Sequence, residues 1–226
     1  MCDVIFEDNQ ILVVVKPQNV PVQLDESQDK DLLNQLKDYL VKKYNKPGQA
    51  YLGLVHRLDR PTGGVMVFAK TSKSAERLCK QIKTDEFEKT YFTVVYGVPR
   101  LKQSTLKNYL KKDEKNNIVK ICTQLEEGAK EAILDYQVLE TVNDYSLVKV
   151  NLQTGRSHQI RVQMANIGCP VVNDAKYSGK KATGDMALWA TVLKFTHPVS
   201  KQRLTYKVIP PADKNPWKMF NIEKYL

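Results

Sequence analysis

Runs of β-branched and aromatic residues recur along the whole chain, and they predict a protein made mostly of strands. Nine runs of this kind lie at 4–7, 11–16, 51–55, 65–69, 90–96, 132–139, 145–153, 188–195 and 203–209. They do not alternate regularly with helices, as the parallel strands of a doubly wound fold would. Their order therefore predicts an α+β fold with a largely antiparallel sheet.

Three segments repeat apolar residues at helical spacing instead. The first runs from about Asp29, next to an aspartate cap, to Tyr44. The second begins at a Ser72 cap, and the third begins at Ser157 and ends at Gly168. Caps and stop signals of these types predict helices with well-marked ends.

The segment from Lys102 to Lys120 interrupts the strand pattern with lysine and asparagine. Four of its lysines surround Asp113 and Glu114. Because charge runs usually solvate a face, we favour a mobile loop on the sheet over a flap that contacts phosphates. No linker rich in glycine, serine or proline divides the chain, so we expect one domain over residues 1–226.

The charge balance adds a candidate partner. Lys and Arg number 35 against 25 Asp and Glu, for a formal net charge of +10. This excess favours a polyanionic partner, although a basic surface that merely aids solubility explains it equally well. Hydrophobic residues make up 42% of the chain and charged residues 27%, which excludes a disordered or fibrous protein.

Nothing in the sequence indicates a membrane span or an export signal. The apolar run Ile11–Val15 is as long as any in the chain, far short of the roughly 20 residues of a membrane-spanning helix. The first eight residues lack the basic-then-apolar order of a signal peptide. The four cysteines form no C-x-x-C pair, so we expect reduced thiols in a cytoplasmic protein.

A charged turn lies directly before the strand predicted at 65–69. Arg57, Asp59 and Arg60 fall within four positions, and the run P-T-G-G that follows them favours a tight turn. Such a turn is able to hold a carboxylate rigidly at the end of a sheet. Simple capping of the turn by Asp59 is the alternative explanation.

A second polar cluster lies at 152–161, where a strand ends and the third helix begins. Its sequence, L-Q-T-G-R-S-H-Q-I-R, brings polar side chains to a helix N-terminus, which favours an anion. A surface loop with a good cap is the simpler explanation, and a structural role is the commoner one for His158. Because His56, His158 and His197 lack ligand-like spacing, we expect no metal site.

Together with K-T-Y-F-T-V-V-Y-G at 89–97, these two clusters resemble the RluA-type family of RNA pseudouridine synthases. That family carries an H-R-L-D turn, a K-x-Y strand and a T-G-R-x-H-Q-I-R junction, and this chain has all three in the same order. The chain departs from the family pattern at Gly63, Ser157 and Gln163, where the family usually has Ser, Thr and His. None of these departures removes a charged residue that is a candidate for catalysis.

The resemblance implies the pseudouridine synthase fold, a single catalytic domain on a bent, largely antiparallel mixed sheet with flanking helices and loops. Because the chain starts directly at its first strand, it resembles the smaller members, which lack a separate N-terminal S4-type RNA-binding module. The implied reaction isomerises a uridine within RNA. The bond from the base nitrogen to ribose breaks, ribose is rejoined to C5 of the same uracil, and no cofactor is needed.

The resemblance also implies roles for individual residues. Asp59 is the essential carboxylate, and Arg156 is the neighbouring cation that keeps it ionised in a pocket sealed by the base. Tyr91 stacks on the target uracil and is the candidate base for the carbon-bound proton. Arg57 enters the gap left by the flipped uridine, with a phosphate contact as the alternative role.

Other residues of the two motifs are expected to contact the RNA substrate, namely His56, Arg60, His158, Gln159 and Arg161. For Arg161, a structural role is as plausible as a phosphate contact. The sequence does not distinguish ribosomal RNA from transfer RNA as the substrate, and a monomer is the default assembly.

Two other classes of function remain open at this point. A catalytically silent RNA-binding protein with the same fold would need a broken site, yet all three catalytic candidates are present. A metal-independent RNA hydrolase using His56 or His158 would shorten its RNA, whereas an isomerase leaves the length of the RNA unchanged.

Overall fold

A computed structural model of the protein describes residues 2–25, 28–84 and 86–226. The chain forms two compact units: Met1–Glu88 with Ala190–Val208, and Lys89–Trp189 with Ile209–Leu226. Each unit has its own order of strands and its own buried cluster. The expectation of one domain over the whole chain stays a prediction.

Strands dominate the described residues, as the sequence predicts. In chain order the elements are β1 (Asp3–Glu7), β2 (Ile11–Lys16), α1 (Leu32–Lys43), β3 (Gly53–Leu54), β4 (Gly63–Ala69), α2 (Ser72–Lys83), β5 (Glu88–Tyr96), β6 (Gln103–Asp113), β7 (Ile118–Cys122), β8 (Lys130–Val142), β9 (Tyr145–Leu152), α3 (Gln159–Asn166), β10 (Leu188–Thr196) and β11 (Arg203–Lys207). Short 3-10 helices follow at Trp217–Met219 and Ile222–Tyr225.

The first unit orders its strands β1-β2-β4-β10, with β3 also paired to β4 and β11 to β10. Val13 of β2 lies opposite Phe6 on one side and Val67 on the other, in antiparallel register. Val13 and Val67 belong to a buried cluster that includes Leu78 of α2 and Phe195 of β10. Helix and sheet therefore share one core in this unit.

The second unit orders its strands β5-β9-β8-β6-β7, and all four of these pairings are antiparallel. Val162 of α3 packs against Leu110 of β6, Val119 of β7 and Ala132 of β8. The predicted α+β fold with a largely antiparallel sheet is confirmed.

The first helix begins slightly later than the sequence suggests, and the second begins one residue earlier. Asp31, rather than Asp29, caps α1, because its carboxylate accepts the Asn34 N–H at 3.0 Å. Thr71, rather than Ser72, caps α2. Over the described part of the chain, no helix has the length and apolar character needed to cross a membrane.

The interpretation of residues 102–120 as a mobile loop is wrong, because they form most of the antiparallel pair β6–β7. Leu110 and Val119 are each 3% exposed and pack on Ala132, while lysines occupy neighbouring positions. A strand with one face in solvent is difficult to recognise from sequence when lysines alternate with only a few apolar residues.

A buried carboxylate joins β1 to α1 in the first unit. The Glu7 side chain is 5% exposed and accepts hydrogen bonds from Tyr39 at 2.9 Å, Lys43 at 2.8 Å, Tyr44 at 2.6 Å and Lys70 at 2.7 Å. Burial alone would raise the pKa of Glu7, but these four donors favour the ionised form and lower its pKa to about 2. The carboxylate therefore stabilises the fold while it is ionised.

We expect Glu7→Gln to lower stability in a pH-dependent way. Since the pKa in the folded state lies below the ordinary value of 4.5, the stabilisation is present above about pH 4.5 and is lost as the pH falls toward about 2. Near neutral pH the free energy of unfolding of the variant should be roughly 2–3 kcal/mol lower than that of the wild type. This difference should narrow by more than half near about pH 3. Urea unfolding of both proteins measures the gap, and a gap independent of pH would contradict this assignment.

Candidate active site

The H-R-L-D turn of the first unit is closed by its own backbone directly before β4. The Thr62 N–H donates to the Asp59 carbonyl at 2.9 Å. Leu58 is 7% exposed and anchors the turn in the interior, whereas Asp59 is half-buried. The turn thus holds a carboxylate that is accessible from solvent at a fixed point of the sheet.

A buried lysine stabilises the same turn by hydrogen bonds to its backbone. The Lys16 ammonium is fully buried and donates to the carbonyls of Pro17 at 2.9 Å, Arg60 at 3.0 Å and Thr62 at 2.7 Å. Burial lowers its pKa to about 7, and the negative charge of Asp59 opposes that shift. Because Lys16 binds the carbonyl that follows Asp59 as well as that of Thr62, it fixes the path of the chain around the carboxylate.

The turn enters β4 through a position that only glycine fits. Gly64 has a φ of +122°, and a Cβ there would lie 2.3 Å from the carbonyl oxygen of Ala190 on β10. A side chain would therefore collide with main chain as well as strain the backbone. The neighbouring departure from the family pattern, Gly63, is buried.

The other polar residues of this turn differ in their surroundings. The Nε2 atom of His56 accepts the Val67 N–H at 3.1 Å, and its ring lies edge-on to Phe87 at 5.2 Å. Arg60 pairs with Asp29 and lies 3.6 Å from a carboxylate oxygen of Asp25. Arg57 is exposed to solvent. These contacts favour a packing role for His56 and leave the side chain of Arg57 accessible to a ligand.

The second unit carries Tyr91 and Arg156. Tyr91 lies in β5 opposite Val150 of β9 and is 6% exposed. Arg156 is exposed in the loop after β9, and its Nε donates to the Glu131 carbonyl at 2.8 Å. That hydrogen bond ties the guanidinium group to the beginning of β8.

Gln159 acts within this loop as an internal brace. Its Oε1 accepts the Thr154 hydroxyl at 2.8 Å and the Arg156 N–H at 3.0 Å, while its Nε2 donates to the Ile133 carbonyl at 3.0 Å. Gln159 is 2% exposed, and its hydrogen bonds stabilise the conformation of the loop that carries Arg156. The expectation that Gln159 contacts RNA stays a prediction.

His158 and Arg161 also have internal partners. His158 adopts a left-handed φ of 52°, which is why α3 begins at Gln159 rather than Ser157, and its Nδ1 lies 2.7 Å from the Tyr177 hydroxyl. Arg161 forms two 2.7 Å bonds to Asp174, and the two side chains are 5% and 0% exposed. This buried ion pair supports the structural alternative for Arg161.

Each unit has a lysine next to its candidate residues that sequence reasoning did not single out: Lys16 in the first unit and Lys89 in the second. Lys16 stands at the end of an otherwise apolar strand, and a charged residue in that position is the signal that would have singled it out. The Lys89 ammonium lies 3.2 Å from the place that a Cβ on Gly155 would occupy, next to Arg156. Lys89 was visible only as the first letter of the K-x-Y motif.

Gln163, which stands where the family usually has His, does not face solvent. It is fully buried, and its Nε2 donates to the carbonyls of Leu106 at 3.1 Å and Ala132 at 3.2 Å and to Asn108 Oδ1 at 2.8 Å. This departure therefore concerns the packing of α3 against the sheet.

The chemistry that these residues offer is that of carboxylate, phenol and guanidinium groups. Within residues 2–25, 28–84 and 86–226, no three His, Cys, Asp or Glu side chains are grouped closely enough to hold a metal ion. The expectation of a reaction without a cofactor stays a prediction.

Comparison with known proteins identifies the family. Residues 10–166 match the family model described as RNA pseudouridylate synthase. An uncharacterized RNA pseudouridine synthase of Bacillus subtilis is 32% identical over 93% of this chain and 70% of its own length. The ribosomal large subunit pseudouridine synthase D of Vibrio cholerae is 30% identical over 93% of this chain and 68% of its own. The chain thus spans about two thirds of the length of these relatives.

Solved structures agree with the family match at the level of the fold. Human RNA pseudouridylate synthase domain containing 4 superposes with a TM-score of 0.78 at 21% identity, over 92% of this chain and 88% of the other. Human RNA pseudouridylate synthase domain containing 1 gives 0.74 at 25% identity, over 93% and 84%. The motifs, the family model and the fold agree, and the chain belongs to the RluA-type family of RNA pseudouridine synthases.

Proposed function

We propose that this protein isomerises specific uridines of ribosomal RNA to pseudouridine, with Asp59 as the essential carboxylate. The observation that carries this proposal is the turn that presents Asp59: it is half-buried, closed by the Thr62 N–H and fastened by Lys16. A rigid, partly accessible carboxylate is what a reaction at the ribose or base of a flipped nucleotide requires.

The reaction is an internal rearrangement in which atoms balance without a co-reactant. The bond from N1 of uracil to C1′ of ribose breaks, a bond from C5 to C1′ forms, the proton on C5 leaves, and N1 takes up a proton in its place. Asp59 acts on the ribose or on the base to labilise the first bond. Tyr91 stacks on the uracil and accepts the C5 proton, Arg156 supplies positive charge, and Arg57 occupies the gap left by the flipped base.

Ribosomal RNA is proposed as the substrate because two of the relatives are named for it. Large-subunit pseudouridine synthases of Vibrio cholerae and Buchnera aphidicola are each 30% identical to this chain. Transfer RNA is the alternative that the same experiment tests. We further propose that the protein acts as a monomer in the cytoplasm, where its substrate would be found.

Replacing Asp59 provides the first test. We expect Asp59→Asn to reduce tritium release from RNA labelled at uridine C5 by at least about 10³-fold, because the reacting carboxylate is lost. The assay is run in EDTA on unmodified transcripts of ribosomal and transfer RNA. Asp38→Asn, an exposed change on α1 of the same unit, is the matched control and should keep wild-type activity. Full release by Asp59→Asn would refute its proposed role.

Replacing Tyr91 separates stacking from proton transfer. We expect Tyr91→Phe to bind RNA as the wild type does but to release tritium about 10²-fold to 10⁴-fold more slowly, since the ring remains and the hydroxyl does not. Tyr145→Phe on β9 is the control for the loss of a phenol. Undiminished release by Tyr91→Phe would eliminate the hydroxyl from the mechanism.

Replacing Lys16 tests the support of the turn. We expect Lys16→Met to lower kcat by about 10²-fold, because three carbonyls lose their donor and Asp59 moves from its place. Lys46→Met, at an exposed position, serves as the control. Thermal unfolding is measured in parallel; a folded Lys16→Met protein with normal kcat would show that Asp59 does not need this support.

A further inference from the structure

The outward face of β6–β7 carries lysines in an unusual arrangement. Lys111 and Lys120 lie directly opposite each other in the antiparallel register, and both are exposed. Residues directly opposite in such a pair have Cβ atoms roughly 5 Å apart and point to the same face of the sheet. Lys107 lies on that face too, four residues before Lys111 along β6. We call these three residues the lysine face.

We expect the opposed lysines to lower the stability of the protein when no ligand is bound. Like charges directly opposite on neighbouring strands repel each other. The carboxylate nearest to Lys111 is that of Glu126, at 3.8 Å, and both side chains are about half exposed, so the pair offers little compensation. Asp113, diagonally across from Lys120 on the same face, attracts Lys120 and also accepts two hydrogen bonds from Asn116. A strand pair that breaks a local rule in this way is typical of a binding surface.

The lysine face is held in place rather than free to move. The Val119 N–H of β7 donates to the Tyr177 hydroxyl at 2.8 Å, and the Lys176 ammonium donates to the Asn117 carbonyl at 2.6 Å. Both bonds fix the hairpin to the segment after α3. The backbone that carries Lys111 and Lys120 is therefore held in position, which lowers the entropic cost of ordering it around a ligand.

The lysine face adjoins the loop that carries Arg156. Lys107 forms a 2.8 Å ion pair with the Glu131 carboxylate, while the Glu131 carbonyl accepts the Nε–H of Arg156 at 2.8 Å. One residue of β8 thus contacts both cations. Beyond Glu131, Lys107 and Lys111 of β6 and Lys120 of β7 extend the row of cations that begins at Arg156, as a strand of RNA passing out of the site would need.

We propose that Lys107, Lys111 and Lys120 form a phosphate-binding face that holds the RNA beside the target uridine. The proposal rests on the proposed function for its ligand, and charge complementarity identifies that ligand as a nucleic-acid backbone. Phosphate contacts of this kind add affinity without reading sequence.

The test compares two double variants in which lysine pairs are neutralised. Lys111→Gln with Lys120→Gln removes the opposed pair, and Lys73→Gln with Lys80→Gln removes two exposed lysines of α2 as a control of equal charge. RNA affinity is measured by fluorescence anisotropy at several salt concentrations, with the ribosomal RNA transcript and with poly(U). Thermal unfolding of each protein is measured without RNA.

We expect the hairpin variant to bind both RNAs about tenfold more weakly, with a salt slope smaller by about 1.4–1.8, because two phosphate contacts are lost. We also expect its melting temperature to stay the same or rise, since a like-charge repulsion is removed. The α2 variant should keep the wild-type affinity. Unchanged affinity and slope in the hairpin variant, or an equal loss in the α2 variant, would overturn the proposal.

These outcomes are separate from those of the proposed function. If the wild type binds RNA but releases no tritium from any transcript, the proposed isomerisation fails. The salt slope of poly(U) binding still tests the lysine face in that case, because it does not depend on turnover.

Discussion

One buried ammonium group supports the arrangement of the H-R-L-D turn. Transfer of a charged amine from water to a protein interior is unfavourable, and the fall of the Lys16 pKa to about 7 reflects that penalty. Three backbone carbonyls and the nearby charge of Asp59 compensate for it. Two of those carbonyls belong to the turn itself, so the group that is costly to bury also defines where the turn lies. A shorter or neutral side chain would leave the carbonyl of buried Thr62 without this donor.

Much of the fold is readable from the sequence, because most strands bury β-branched residues on at least one face. The limits arise where a local contact decides the outcome. Asp31 and Asp29 are equally good cap residues by type, and only the bond to Asn34 distinguishes them. The pair β6–β7 was missed because Leu110 and Val119 are few apolar residues among many lysines. Their burial depends on α3 and β8, which no local pattern reveals.

The candidate site is readable in part. The motifs locate Asp59, Tyr91 and Arg156, since each lies in a distinctive run, but they do not separate residues that face a ligand from residues that brace the loop. Gln159 and Arg161 share one motif with Arg156, and yet both are buried with internal partners. Arg156 lies in the loop before the left-handed turn at His158, whereas Gln159 and Arg161 lie after that turn, in α3. A single backbone angle of this kind leaves little trace in composition or spacing.

The contact between Gly64 and Ala190 limits how this protein can vary. Side chains in a core are able to repack when a neighbour changes, whereas main chain against main chain leaves no volume to redistribute. With 2.3 Å between a hypothetical Cβ and the Ala190 oxygen, even alanine at position 64 would push β4 away from β10. The place where the turn enters the sheet therefore tolerates no side chain at position 64. Substitutions that alter substrate choice are more easily accommodated in hairpin tips and exposed loops, where side chains have room to change.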